Sequence, residues 1–219
     1  MLATLQTAFK QIPVLSAIVV WPVTGAWHAS LELDTDDAAD LEGAAQLVLE
    51  TEIKSVSLSG VLVLGSVFAG RGSVKLLAGA GGLPKLLPAK SFKDVDLSAI
   101  VSATLTEAGE QLDLTSQITG FVPHFIRAAT TTSKTLWTLA ELFSFDWHVT
   151  DAGKLFFGER PSAEYAGTLE ILDSGPQYKK IAIEAADVRP GDVIEGATVD
   201  RVELCLSNQE VSCWVRCNQ

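Results

Sequence analysis

The densest acidic run of the chain, Asp34, Asp36, Asp37, Asp40 and Glu42, matches in part the opening of a calcium loop. Ala38 and Ala39 stand where such a loop needs a ligand and its neighbouring turn, so the run reads as a solvated acidic loop. The glycine run Gly79-Ala80-Gly81-Gly82 raises the question of a phosphate cradle. A P-loop continues through Gly-Lys-Ser/Thr into a helix, and a dinucleotide fingerprint spaces three glycines; neither follows here, which leaves a structural turn. Glu107 and Glu110 offer a carboxylate pair of the kind that faces a sugar bond from two sides. Both fall at the end of a predicted helix beside Gly109, where solvated surface is expected.

The three histidines, His28, His124 and His148, are far apart and show no metal-ligand spacing. His28 and His148 alternate with Trp27 and Trp147 on predicted strands, so their expected place is the solvent face. Ser59, Ser66 and Ser73 lack the glycines of a nucleophile elbow. Cys205, Cys213 and Cys217 crowd the end of the chain without a CxxC; Cys213 and Cys217 share a strand face and read as buried or half-buried thiols. The sequence therefore nominates no catalytic, cofactor-binding or metal residue, and an enzyme is not expected.

Composition narrows the rest. With 219 residues, 47% apolar and 20% charged, the chain has ample material for a core, and disorder is excluded. Sixteen basic against 27 acidic residues give a net charge of −11, spread evenly along the chain. Phosphate binding draws its energy from basic side chains that displace counterions, which argues against a DNA-gripping surface; the acidity suits a surface to which a polyanion does not stick. No basic start followed by an apolar run opens the sequence, and Ile12 to Val23 is too short to span a bilayer, so synthesis as a soluble species without membrane insertion is expected. Pro13, Trp21 and Pro22 within that segment suggest an edge strand or a surface that packs on another subunit.

The elements follow from periodicity. Residues 12 to 80 read as strands with short turns, forming a small antiparallel barrel or sandwich. Trp27, Ala29, Leu31 and Leu33 alternate with polar residues; Ala44 to Glu52, Ser55 to Leu58, Val61 to Phe68 and Ser73 to Ala78 continue, with Gly43, Gly60 and Gly65 as punctuation and Gly70-Arg71-Gly72 as a turn. Beyond the turn-rich stretch at Gly79 to Pro88, Asp96 is positioned to cap a helix that carries Leu97, Ile100, Val101 and Leu105 and stops at Gly109. A second helix starts near Ser133 and runs through Phe143, while Gly120 to Ala129 has no clear assignment. Asp146 to Gly158 is a hairpin turning at Gly153. Strands return at Thr168 to Leu172, Lys179 to Ala185, Val193 to Ile194, Ala197 to Leu206 and Val211 to Cys217, with a turn at Arg189 to Asp192.

This order resembles the baseplate hub proteins of tailed phages, the late-control hub family related to the base of type VI secretion spikes. The resemblance rests on Thr131 to Phe143 followed by Phe145-Asp146-Trp147-His148-Val149 and Asp151 to Phe157, and on Val188-Arg189-Pro190-Gly191-Asp192 leading to Gly196 to Val202. Ala152 between Asp151 and Gly153, and Ser144 in place of a helix-ending glycine, depart from the family pattern.

The resemblance implies a mainly β fold with an α insert (α+β): a tube-like β-barrel domain over 1–90, a helical insert with a hairpin over 91–160, and a second tube-like barrel over 161–219. It implies a homotrimer in the virion tail baseplate, made in the host bacterial cytoplasm. Six barrels in three chains would join a sixfold tail tube protein to a threefold central spike protein, with baseplate wedge proteins around it and DNA only in transit. The alternatives are a tail-tip cell-wall hydrolase and a carbohydrate- or receptor-binding β protein. Trp21, Trp27 and Trp214 discriminate: burial against a neighbouring chain favours the hub, exposure in a shallow groove favours sugar.

Overall fold

The computed structural model describes residues 2–35, 41–51, 54–68 and 71–217. In chain order the strands are β1 (Leu2–Thr7), β2 (Gln11–Pro22), β3 (His28–Leu33), β4 (Gly43–Glu50), β5 (Ser55–Phe68), β6 (Arg71–Ala78), β7 (Leu86–Leu87), β8 (Lys90–Asp96), β9 (Phe121–Arg127), β10 (Thr130–Thr131), β11 (Asp146–Val149), β12 (Leu155–Gly158), β13 (Ala163–Glu164), β14 (Ile171–Gly175), β15 (Tyr178–Ala182), β16 (Asp192–Ile194), β17 (Ala197–Cys205) and β18 (Glu210–Cys217). Helix α1 spans Leu97–Ala108 and α2 spans Thr132–Phe143. The chain packs as two compact units, one from Met1–Leu77 with Pro161–Gln219 and the other from Ala78–Arg160.

In the first unit β1, β4, β5, β6, β3 and β2 pair in that order and β1 returns to β2, closing a barrel. Alternation sends Trp27, Ala29, Leu31 and Leu33 inward, as their spacing predicts, to meet Leu5, Leu47, Leu49, Leu58 and Leu76. Burying each such leucine contributes about 1.5–3 kcal/mol relative to leaving it in water. The interior is filled by side chains.

The edge strand expected at Ile12–Val23 is instead central. One margin of β2 pairs with β3; the other pairs first with β1 over Gln11–Pro13 and then with β17 over Ile18–Pro22. Its prolines sit near its ends, where a missing N–H costs the ladder little. A register shift between Val14 and Ser16 changes the buried phase from Ile12 and Val14 to Ala17, Val19 and Trp21, so both halves of the strand keep an apolar side.

Beyond β2 the sheet continues through β17, β18, β15 and β14, while β16 joins β17 and β13 joins β16. The opening and closing β segments of the chain are therefore one hydrogen-bonded sheet. Closure is seen in the first six strands; among the described residues no pairing joins β13 to β14. The turn Arg189 to Asp192 forms where expected: the Asp192 carboxylate accepts the Arg189 N–H at 2.8 Å, and Gly191 takes φ 102°. Arg189 then lays its guanidinium 4.1 Å from the Trp21 ring centroid.

In the second unit α1 and α2 bury Leu97, Ile100, Val101, Leu105, Leu136 and Leu139, and β11 with β12 forms the expected hairpin. The stretch without an assignment contains β9, which pairs with β8. Asp96 occupies the N-cap position, yet its side chain makes no capping bond; the Leu97 N–H donates to Gly120 O at 2.9 Å instead. Helix α2 is capped by Thr131, whose hydroxyl accepts the Lys134 N–H at 3.3 Å. Ser144 closes α2 in the left-handed conformation at φ 55°, taking the place glycine usually fills.

Gly60 is not a break between two strands. It lies inside the single strand β5, where a Cβ would meet Leu77 O at 2.2 Å. Gly60→Ala is expected to destabilise the first unit by about 3 kcal/mol through this backbone collision. Chemical denaturation of the variant beside the wild-type chain checks it.

Candidate functional site

The residues nominated for chemistry are put to structural use in the second unit. Glu110, expected in solvent, is buried, and its two carboxylate oxygens accept the N–H groups of Ala80 at 2.9 Å and Gly82 at 2.6 Å. The loop amides that a phosphate would have needed are held by the chain's own carboxylate. A Cβ at Gly79 would meet Glu110 at 2.8 Å, and one at Gly82 would meet Ala108 O at 2.4 Å, which is why this loop is glycine.

Glu107 is not free surface either. It accepts from Lys90 at 2.6 Å and from Arg127 at 2.5 Å, and these two cations hold its carboxyl below the usual carboxylate range. Arg127 is 1% exposed and also donates to Pro88 O from both Nη2 and Nε, at 3.0 and 3.2 Å. A buried guanidinium satisfied by carboxylate and carbonyl pins β9 to α1. With one glutamate capping a loop and the other neutralising an arginine, neither faces a cleft as a glycosidase acid or base would.

His148, placed by alternation on the solvent face, is half-buried and stacks on Phe156 with ring centroids 4.8 Å apart. Arg160 Nη2 lies 3.0 Å from His148 Nδ1. A guanidinium only donates, so Nδ1 is an acceptor and the ring is neutral with its proton on Nε2. Burial first, and then the Arg160 charge, push its pKa down to about 4. His124 is exposed, with Nε2 3.4 Å from Ser91 Oγ.

In the first unit His28 is exposed on β3 as its alternation predicts. Asp34 and Glu42 are exposed too, whereas Asp36, Asp37 and Asp40 lie outside the described residues, as does Gly70. Cys213 is buried, and desolvation pushes its thiol up to about 12, so it is inert. Among the described residues no cluster of His, Cys, Asp or Glu has the arrangement to hold a metal ion.

Two groupings were not singled out in the sequence. Asp187 accepts from Lys54 at 2.6 Å and from Tyr165 at 2.5 Å, tying the β4–β5 loop to the chain before β14. Hydrogen bonds from Lys54 and Tyr165 hold the Asp187 carboxyl low against the opposing effect of its burial. The pair is more than one-third exposed, and such an ion pair contributes well under about 1 kcal/mol. The second grouping surrounds Trp214. Its register neighbours are Arg201 on β17 and Tyr178 on β15, and the Arg201 guanidinium lies 4.8 Å from its ring centroid. Beside it runs a groove of about 520 Å³ lined by Pro176, Gln177, Asp200, Trp214, Val215 and Arg216. Residues this far apart in sequence meet only through the ladder, and no local motif announces them.

Of the three tryptophans set to discriminate, Trp21 and Trp27 are 3% and 1% exposed within the chain itself, so neither is available to a sugar or to a neighbouring chain. Trp214 is 38% exposed.

No family model and no curated protein matches the chain. Solved structures do. A 43 kDa tail protein of prophage MuSo2 from Shewanella oneidensis superposes with a TM-score of 0.69 at 8% identity, covering 99% of this chain and 97% of that one. What the likeness establishes is a shared fold. The tail protein from Neisseria meningitidis MC58 gives 0.66 at 10% identity over 98% and 95% of the two chains. The Escherichia coli c3393 protein gives 0.67 at 12% identity over 98% and 77%; it is described as a component of the type VI secretion system with structural similarity to the T4 bacteriophage tail proteins gp27 and gp5.

Two measurements check these polar devices. Glu110→Ala orphans two loop amides and is expected to cost about 2 kcal/mol, read as a lowered thermal midpoint. For His148 the folded pKa is depressed from 6.5 to about 4, so the unfolded chain takes up a proton first as pH falls. Stability is present above the unfolded value and drains away across the window from 6.5 down to about 4. The expected loss is on the order of 3 kcal/mol, and His148→Phe should flatten it there while leaving the carboxylate-driven loss at lower pH.

Proposed function

We propose that this chain is the structural hub of a phage tail baseplate, a homotrimeric adaptor between a sixfold tail tube and a threefold central spike. The observation that carries the reading is the likeness to the MuSo2 tail protein, which spans 99% of this chain at a TM-score of 0.69. The likeness to a type VI component described as similar to gp27 and gp5 supports the position near the spike. In this reading the barrel is one tube-like domain and the sheet from β17 to β14 forms the other, so three copies present six related surfaces.

The partners are the tail tube protein, the central spike protein and baseplate wedge proteins, and the location is the virion tail baseplate after assembly in the host bacterial cytoplasm. The barrel interior is filled with leucine and alanine, so it offers DNA no bore. DNA passes instead through a lumen bounded by outward faces of several copies, where the net charge of −11 keeps it from adhering. The role is structural and not enzymatic: Glu107 and Glu110, the carboxylates nominated for cleavage, are both engaged in holding the second unit together.

Native mass spectrometry of the purified chain, followed by imaging of the particle, tests the proposal. A species at three times the 23.3 kDa chain mass with a central opening is expected. A monomer at all concentrations, absent also from the tail tip of assembled particles, overturns it.

A further inference from the structure

We propose that the groove beside Trp214 is a binding site for a neutral, gluco-configured oligosaccharide. The inference is independent of the hub reading.

Strand pairing places Arg201, Trp214 and Tyr178 in one row across β17, β18 and β15. Trp214 and Tyr178 are 38% and 37% exposed, and the indole lines a groove of about 520 Å³. A register shift between Val199 and Arg201 leaves Asp200 without a partner across the ladder, and its carboxylate takes Arg216 Nη2 at 2.7 Å. Gln177 lines the groove as well.

This lining matches a pyranose. A gluco-configured ring has an apolar face of C–H bonds and a rim of equatorial hydroxyls. The indole face that Arg201 does not cover complements the sugar face, and Asp200, Arg216 and Gln177 supply polar atoms for ring hydroxyls beyond those that Asp200 and Arg216 use on each other. Charge selects a neutral ligand. Arg216 is balanced by Asp200, and Arg201 by Glu203 at 3.1 Å, which leaves no net positive field for a phosphate or a nucleic acid.

The site is also pre-organised. Every aromatic and charged group but Asp200 stands opposite a ladder partner. Arg201 stacks on Trp214, and Tyr178 donates its hydroxyl to Asp173 at 3.0 Å, so little side-chain freedom is lost on binding.

The test uses the full chain, with cellotetraose and N-acetylchitotetraose as probes, read by saturation-transfer NMR and tryptophan fluorescence. Saturable binding of at least one probe with Kd on the order of 1 mM or tighter is expected. Trp214→Ala should weaken it by about tenfold or more, while Trp214→Phe, which keeps a ring, stays within about threefold. Raising salt to about 0.5 M should leave the affinity unchanged, because no net charge is recruited. The proposal is overturned if neither probe binds saturably, if Trp214→Ala binds like the wild-type chain, or if binding collapses with salt. It is also overturned if the oligomer covers this face and excludes both probes. That last outcome leaves the trimer intact, and a monomer that binds sugar defeats only the hub reading, so the two failures are distinguishable.

Discussion

Everything in the first unit depends on β2 having two partners along one margin. A strand of twelve residues is about 40 Å long, enough to close the barrel against β1 with its first residues and to start a second sheet against β17 with its last. Two sheets that share a strand cannot slip independently, because a shift of one residue would turn the apolar faces of both to solvent. The bulge at Leu15 reconciles them: it changes the buried phase between the two halves, and Ala17 O fills the interval by accepting the Leu206 N–H at 2.9 Å. Trp21 ends the strand under the Arg189 guanidinium, so the turn at Arg189 to Asp192 is fastened to the same element.

The second unit solves a different problem. It is small, and its helices are only twelve residues each, too short to be stable without packing. Polar side chains with buried heads do the joining. Glu110 gathers the glycine loop, and the Arg127 guanidinium gathers Pro88 O and Glu107. Removing either side chain would leave unmet partners, which is the costly direction of change for buried polar groups.

Periodicity made much of this legible. The alternation at Trp27 to Leu33, the two helices, the hairpin at Asp146 to Gly158 and the turn at Arg189 to Asp192 all depend on neighbours in sequence, and they stand where the residues put them. Strand β1 is short, with only Ala3 and Leu5 turned inward, and β9 carries Pro123 inside its ladder, so neither shows a long alternation. Glu107, Glu110 and His148 were assigned to solvent by local rules that cannot see Arg127, Gly82 or Phe156 approaching from elsewhere. Gly60 shows the same limit: a glycine serving close approach reads identically to one serving a turn until its neighbour, Leu77 O, is in place.

The filled barrel also constrains any assembly. Small closed barrels exhaust their interior on side chains, so their capacity to interact lies on outward residues and on sheet margins. On β3 and β6 the outward residues include Glu32 opposite Ser73 and Ser30 opposite Lys75, a surface of mixed charge. Strands β3 and β6 therefore carry little of the chain's acidity, with Glu32 set against Arg71 and Lys75. Part of it lies in the exposed residues flanking the β3–β4 connection, Asp34 and Glu42 among them. Part is neutralised within the chain, as at Asp187, Glu107 and Asp200. Whatever the barrel meets, it meets through these outward residues and connections, because side chains leave no room inside it.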